Sequence, residues 1–430
     1  MLSVNPNTEV TLPKPLDLFS NNPVTVGYND ASFVSYTSIS NAGSFPVVFS
    51  IPTGNTYISL KDSYLTMLLR VTKKTTVENA DKTKTVKITN LTATDKAGFI
   101  NNVSNSVMKT VKFSINSKCI ENCDNYSYKS YLINMLNLRN RSKAELESAG
   151  YIHDEDSQLS GKAFDKRKSF FYNDSYEFCT KLDIDFWQQN KLLLPNLMLS
   201  LEINPNNTAF CLLGDNQNIT YSLVDIRLYL YQITLLPSLS LEIEKRLANN
   251  QLATYPFDRY LIRNFFISGQ RYEASVNLFN SICPNAIYIG FVDSHAYNGN
   301  FALSPYNFEH ANLRSVTVNY NGRVMPSWPI KIAYDRNRYS HSFFELVRST
   351  PSADITLEQF KNHSAIYSFN LDIDSDSNTQ EPTKVGATMI SVNFDVAVRE
   401  HGLQMIVLSK FKSNISFDCN RELITPFGGI

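Results

Sequence analysis

The sequence predicts an all-β protein with minor helices, built as two antiparallel β-sandwiches in tandem. Three observations carry this. Apolar and polar residues alternate strictly in several stretches, and a period of two puts one face on a core and the other toward water or a partner. Clusters of Asn, Ser, Gly and Pro separate those stretches. The chain has 430 residues, 43% of them hydrophobic, and a single core stops growing at roughly 250–300 residues.

Taken in order, the elements read as follows. Val4 to Pro23 carries four Pro and no periodicity, so residues 1–23 are expected to form an extended arm. Thr72 to Thr89 is rich in Lys and Thr and reads as a protruding loop with a ribbon. Val111, Phe113 and Ile115 alternate with Lys112, Ser114 and Asn116 as a half-buried strand. From Asn125 to Tyr151 the period changes: Tyr128, Leu132, Met135 and Leu136 recur at helical spacing. Ser142-Lys143-Ala144-Glu145-Leu146 continues the helical segment and Gly150 stops it.

Strands resume with Leu197, Leu199, Leu201 and Ile203, then Val224, Ile226, Leu228 and Leu230. A short helix is expected over Leu241 to Asn249, and a domain boundary within Leu235 to Asn250. Val316, Val318 and Tyr320 form the next alternating run, followed by Ile390, Val392, Phe394, Val396 and Val398, and a last strand over Leu403–Phe411. Asn298-Gly299 and Asn321-Gly322 supply the positive φ angles of type I′ turns. Each half closes with a pair of strong strands, a weak internal echo. The expected division is therefore the arm, a first domain over residues 24–236 with a helical insertion near 125–150, and a second domain over residues 237–430.

Composition narrows the function. Lys+Arg and Asp+Glu are each 40, so the formal charge is zero, without the basic excess of proteins that coat nucleic acid. Near-zero charge also lowers the barrier to self-association. Cys119, Cys123, Cys179, Cys211, Cys283 and Cys419 are scattered, unlike a disulfide framework. The first residues carry no secretory signal, and no apolar run approaches a membrane span. These features together lead to the expectation of synthesis in a reducing, intracellular compartment.

The search for chemistry returns little. None of His153, His295, His310, His341, His363 and His401 pairs at the helical spacing of a zinc peptidase. Cys119 and Cys123 form a C-x3-C without a second ligand pair. Asp372, Asp374, Asp376 and Asn378 invite a calcium reading, but Ser377 and Thr383 stand where an EF-hand has Gly and Glu. Asp183 and Asp185, before Phe186-Trp187, are placed on one strand face, where two carboxylates suit either glycoside cleavage or a plain polar face. Basic clusters at Lys73, Lys74, Lys82, Lys84 and Lys87, and at Lys162, Lys166, Arg167 and Lys168, read as solvated loops in preference to a nucleic-acid patch. The sequons at Asn90, Asn125, Asn173 and Asn218 are expected by chance. No catalytic, cofactor-binding or metal-ligating residue is therefore assigned. A self-assembling structural protein and a lectin-like binding module both fit.

Five stretches, in their order and spacing, say more. They are Asn125-Tyr126-Ser127-Tyr128-Lys129-Ser130-Tyr131-Leu132 with the helical continuation to Leu146; Lys191-Leu192-Leu193-Leu194-Pro195-Asn196 and its strand; Ile289-Gly290-Phe291-Val292-Asp293 with Ala296-Tyr297-Asn298-Gly299 and Pro305-Tyr306-Asn307-Phe308; Asn321-Gly322-Arg323-Val324-Met325-Pro326 with Tyr339, Phe343 and Phe344; and Ser409 to Arg421, ending Asp418-Cys419-Asn420-Arg421. In these the chain resembles the major capsid proteins encoded by Polinton (Maverick) elements and adintoviruses.

The resemblance implies a double jelly roll, a homotrimer of pseudo-hexagonal outline tiling an icosahedral capsid, and no enzymatic activity or cofactor. It implies neighbouring capsomers and vertex or minor capsid proteins as partners, at most weak contact of basic loops with packaged DNA, and location in the virion after synthesis in the host cell. Two alternatives stand beside it: a minor capsid or vertex protein of the same kind of element, and a glycan-binding β-sandwich.

Overall fold

The computed structural model describes residues 27–40, 45–78, 84–153, 161–172, 174–214, 218–371 and 384–424. The arm expected over residues 1–23 and the acidic run Asp372 to Asn378 lie outside the described residues.

In the first half the strands are β1 (Tyr28–Thr37), β2 (Val47–Pro52), β3 (Tyr57–Glu78), β4 (Lys84–Asn90), β5 (Ala97–Phe99), β6 (Met108–Ile115), β7 (Lys118–Cys123), β8 (Ser175–Thr180), β9 (Met198–Pro205), β10 (Leu212–Gly214) and β11 (Ile219–Leu235). All but β5 and β10, which pair with each other, form two facing sheets. One runs β1-β11-β3 with β8 and β4 end to end on the far side of β3, and the other runs β2-β9-β6-β7. All of the pairings are antiparallel.

The second half repeats the pattern. Its strands are β12 (Ala253–Ile267), β13 (Glu273–Phe279), β14 (Ala286–Asp293), β15 (Leu313–Tyr320), β16 (Arg323–Met325), β17 (Ile366–Asn370), β18 (Thr388–Phe394), β19 (Leu403–Phe417) and β20 (Leu423–Ile424). One sheet runs β12-β19-β14-β17 and the other β13-β18-β15-β16. Replacing β1, β11, β3 and β8 by β12, β19, β14 and β17, and β2, β9, β6 and β7 by β13, β18, β15 and β16, maps eight strands of one half on eight of the other, leaving β4, β5, β10 and β20 as additions. The strands wind in a Greek-key wrap, in which chain-distant strands lie side by side.

The cores follow the alternation. Val47, Phe49 and Ile51 of β2 and Leu199, Leu201 and Ile203 of β9 are buried, as are Leu65, Met67, Leu69 and Val71 of β3. In β11 the alternation is interrupted. Bulges between Leu223 and Asp225 and between Tyr229 and Tyr231 move the buried set from Leu223 to Ile226, Leu228 and Leu230, and then to Ile233. Val224, expected to point inward, is only partly buried, because the extra residue of a bulge reverses the face. In β18 the expected strand to Val398 stops at Phe394, where both neighbouring strands run out: Glu273 pairs with Asn393 and Leu313 with Phe394. Val396 is accordingly exposed.

Helices fill the connections. They are α1 (Val103–Ser106), α2 (Tyr126–Leu136), α3 (Lys143–Ser148), α4 (Lys162–Ser169), α5 (Thr208–Cys211), α6 (Pro237–Ala248), α7 (Ser294–Asn298), α8 (Ser340–Ser349) and α9 (Leu357–Asn362). Ser142 caps α3 by accepting the Glu145 N–H, and Gly150, at φ +77°, follows its end. The Lys/Thr ribbon is the β3–β4 hairpin. Asn321-Gly322 makes the expected two-residue hairpin turn, with φ +48° and +81° and Tyr320 paired to Arg323. Asn298-Gly299 does not: Asn298 ends α7 and Gly299, at φ +100°, terminates it, so the positive φ serves a helix stop.

Candidate assembly site at the junction of the two sandwiches

A set of polar and aromatic contacts that starts from α2 reaches from the first sandwich to the second. Every side chain of α2 is buried, as befits a helix with protein on all sides. Lys129, fully buried, places its Nζ 2.5 Å from Glu121 Oε1 on β7 and 2.7 Å from Asp185 Oδ1. Asp185 Oδ2 accepts the backbone N–H of Tyr260 on β12 at 2.8 Å, which links this charge cluster to the second sandwich. Asp183 is held by Ser130 Oγ at 2.5 Å and Arg141 Nη2 at 2.6 Å, and its N–H donates to the Tyr126 hydroxyl. The two carboxylates keep Lys129 charged despite burial. Burial, then the Glu121 carboxylate, pushes the Asp185 carboxyl upward.

Asp183 and Asp185 are therefore not a pair on a strand face. Asp185 opens a 3-10 turn over Asp185–Gln188, and both carboxylates are buried and committed to cations. A glycosidase pair must open to water and a sugar, whereas Asp183 and Asp185 are only 2% and 3% exposed. Trp187 is buried while Trp328 is 80% exposed, so they form no stacking platform.

Aromatic packing continues the junction. Tyr131 of α2 stacks on Tyr306 with ring centres 4.0 Å apart and planes 2° from parallel. Tyr128 meets Tyr297, Tyr306 and Phe308. The Tyr306 hydroxyl donates to Ser127 O at 3.2 Å, and Tyr297 donates to Asn125 Oδ1. At the far end of the chain, Asp418 Oδ1 accepts the N–H groups of Asn420 and Glu422, making a tight turn that presents Arg421. Arg421 Nε donates to Pro195 O and Nη2 to Glu244 at 2.5 Å, while Asn116 donates to Arg421 O.

The other sequence candidates separate. Cys119 is exposed and Cys123 buried on β7, and burial pushes the Cys123 thiol up to about 12. They do not converge on a ligand site. In the basic clusters Lys73 pairs with Asp95 at 2.6 Å, Lys166 pairs with Glu147, and Arg167 is buried with Nε on Phe99 O. The second cluster is the helix α4 and not a loop. One group escaped the sequence reading. Asp293, His295 and His401 bring their ligand atoms within 4.8 Å of one another. The separation of His401 from the other two by more than a hundred residues left no local spacing to find.

One outward surface is also unusual. On the outer face of β1, β11 and β3, Phe33 is 49% exposed and lies against Tyr64 and Tyr231, while Tyr64 stacks on Tyr229.

No family model matches the chain. An uncharacterized protein of Caenorhabditis elegans is 27% identical over 387 residues, 86% of this chain and 90% of its own length. Among solved structures, a chain of the Sputnik virophage superposes with TM-score 0.62 at 14% identity, over 99% of this chain and 94% of that one. The Faustovirus major capsid protein gives 0.55 at 9% identity, over 95% and 92%. The mavirus major capsid protein gives 0.53 at 10%, over 99% and 96%.

The fold is a double jelly roll. Its two rolls occupy the strands β1–β11 and β12–β20, and the junction just described joins them. Among the described residues no helix is long and apolar enough to cross a membrane.

Proposed function

We propose that this chain is a major capsid protein of the Polinton (Maverick)/adintovirus kind, a non-enzymatic subunit that forms homotrimers of pseudo-hexagonal outline tiling an icosahedral shell. One observation carries the reading: two rolls of the same topology are locked side by side in one chain by a buried junction. Three such chains around an axis present six similar sandwiches. Similarity in fold to viral major capsid proteins over nearly the whole chain supports a capsid role. A relative in a nematode supports an element carried in animal genomes. We assign residues 1–23 to an arm, 24–236 to the first roll and 237–430 to the second. The basic segments give packaged DNA at most weak contact, and the mature location is the virion.

A second copy of the chain is the occupant we assign to the aromatic face around Phe33. Near-zero net charge opposes this contact least.

The test is the solution mass of purified protein by light scattering, with negative-stain imaging. A particle three times the 48.8 kDa chain mass is expected, with Phe33→Asp shifting it toward monomer. A stable pentamer transfers the chain to the vertex-protein reading, and a monomer that binds glycans transfers it to the binding-module reading.

A further inference from the structure

We propose that Asp293, His295 and His401 bind a divalent transition-metal ion, with Zn²⁺ the best match, at one end of the second roll. The ligand atoms of the three residues lie within 4.8 Å of one another. Asp293 ends β14, His295 lies in the first turn of α7, and His401 lies in the loop between β18 and β19. A bound ion therefore ties three segments that are distant in sequence. His295 and His401 stack with ring centres 4.3 Å apart and planes 25° from parallel, and the exposed His295 ring turns to aim its nitrogen at an ion held by the other two.

The donor set is two imidazole nitrogens and one carboxylate oxygen. This suits a borderline ion such as Zn²⁺ and does not suit Ca²⁺ or Mg²⁺, which take oxygen ligands. Three protein ligands leave a fourth tetrahedral position for water.

The surroundings resemble those of a metal-binding carboxylate. Asp293 Oδ1 accepts the His295 N–H at 2.8 Å, and Oδ2 accepts from Arg399 Nη1 at 2.7 Å. Arg399 Nη2 reaches Glu309 Oε2 at 2.6 Å. Such outer contacts fix the orientation of a ligand. Glu309 Oε1 is buried and has no hydrogen-bond partner. Two carboxylates against one guanidinium leave the group with a negative excess for a cation to balance.

His401 Nε2 and Asp293 Oδ2 are 2.8 Å apart. The ion takes the place of the proton between them, and the neutral imidazole carries its proton on Nδ1 instead. Ligands of a tetrahedral Zn²⁺ stand about 3.3 Å apart, so the pair opens by about half an ångström. The loop carrying His401 has room for this, because His401 is only partly buried.

The experiment is calorimetric titration of chelator-treated full-length protein with Zn²⁺, and with Co²⁺ followed by its visible spectrum. Cys119 and Cys419 are exposed thiols of a kind that binds zinc, so every protein titrated carries Cys119→Ser and Cys419→Ser. One saturable site per chain is expected, with a Co²⁺ spectrum of nitrogen and oxygen ligation. His295→Ala and His401→Ala, made separately, each weaken binding by about tenfold or more. His295 is exposed, so its replacement leaves folding intact. The proposal is overturned if the protein carrying Cys119→Ser and Cys419→Ser binds no Zn²⁺, or if its affinity survives both His substitutions.

Discussion

At the residue scale the most exacting position is Lys129. It is fully buried and holds two carboxylates together. Removing one partner of a buried ion cluster leaves charge without compensation and costs about 3–5 kcal/mol. Lys129→Met should lower stability by that amount in denaturant melts. A variant as stable as the wild type would show that the cluster is not a determinant of the junction.

Asp95 offers a milder test with a defined sign. Its hydrogen bond from Lys73 lowers its carboxyl from 3.8 to about 2. A lowered folded-state value stabilises above the unfolded value, and that contribution disappears as pH falls through the folded one. The melting temperature of Lys73→Met should therefore lie below that of the wild type at pH 5–7, and the gap should close on approach to pH 2. A gap that widens toward acid would reverse the assignment.

Gly290 is the third residue-scale case. A Cβ there would lie 2.4 Å from Phe308 Cδ1 and 2.9 Å from Ile366 Cδ1. Gly290→Ala should destabilise by about 1–3 kcal/mol through overpacking, and through Phe308 it also disturbs the contact with α2.

At the scale of elements, the β15–β16 hairpin is the clearest test. Gly322 sits at φ +81° with open space around the position of a Cβ. The whole cost of Gly322→Val is therefore backbone strain, about 1–3 kcal/mol. Gly322→Asn should cost much less, since Asn tolerates the left-handed region. Equal thermal midpoints for the two variants would refute the turn assignment.

The hairpin was legible because Asn-Gly is a local signal. The helical insertion was legible for the same reason, since helix spacing and Gly150 lie within one segment. The bulges of β11 were not. A bulge is decided by what the neighbouring strand presents, and the one-residue step from Leu223 to Ile226 leaves no mark on composition. Asn298-Gly299 is ambiguous in sequence because a positive φ ends a helix as readily as it turns a hairpin.

At the scale of the whole molecule, the junction makes the two rolls one mechanical unit. Tyr306 is fully buried against Tyr131, Tyr128 and Phe210, so Tyr306→Ala removes packing worth about 3–5 kcal/mol. The wild type should unfold in one calorimetric transition with matching calorimetric and van't Hoff enthalpies. Combining Tyr306→Ala with Lys129→Met should separate it into two. Two transitions in the wild type would mean that the rolls fold independently.

The stretches that carry the family resemblance meet at this junction. Tyr128 and Tyr131 of the aromatic helix face Tyr306 and Phe308 of the Pro-Tyr-Asn-Phe segment. Pro195 of the Leu-Pro-Asn entry accepts from Arg421 of the Asp-x-Asn-Arg ending. Tyr297 of the Ala-Tyr-Asn-Gly segment bonds Asn125 at the start of the helix.

By itself the sequence determined the all-β class, the strands β6, β9, β15 and β19, the helical insertion and the lack of a nucleic-acid-coating charge. Each depends on neighbours within a few residues, where periodicity and turn chemistry act. Only the tertiary structure decided that Asp183 and Asp185 bind cations in a junction, and that Asp293, His295 and His401 converge. A Greek-key wrap places strands from opposite ends of a domain side by side, so side chains that meet across it share no spacing along the chain.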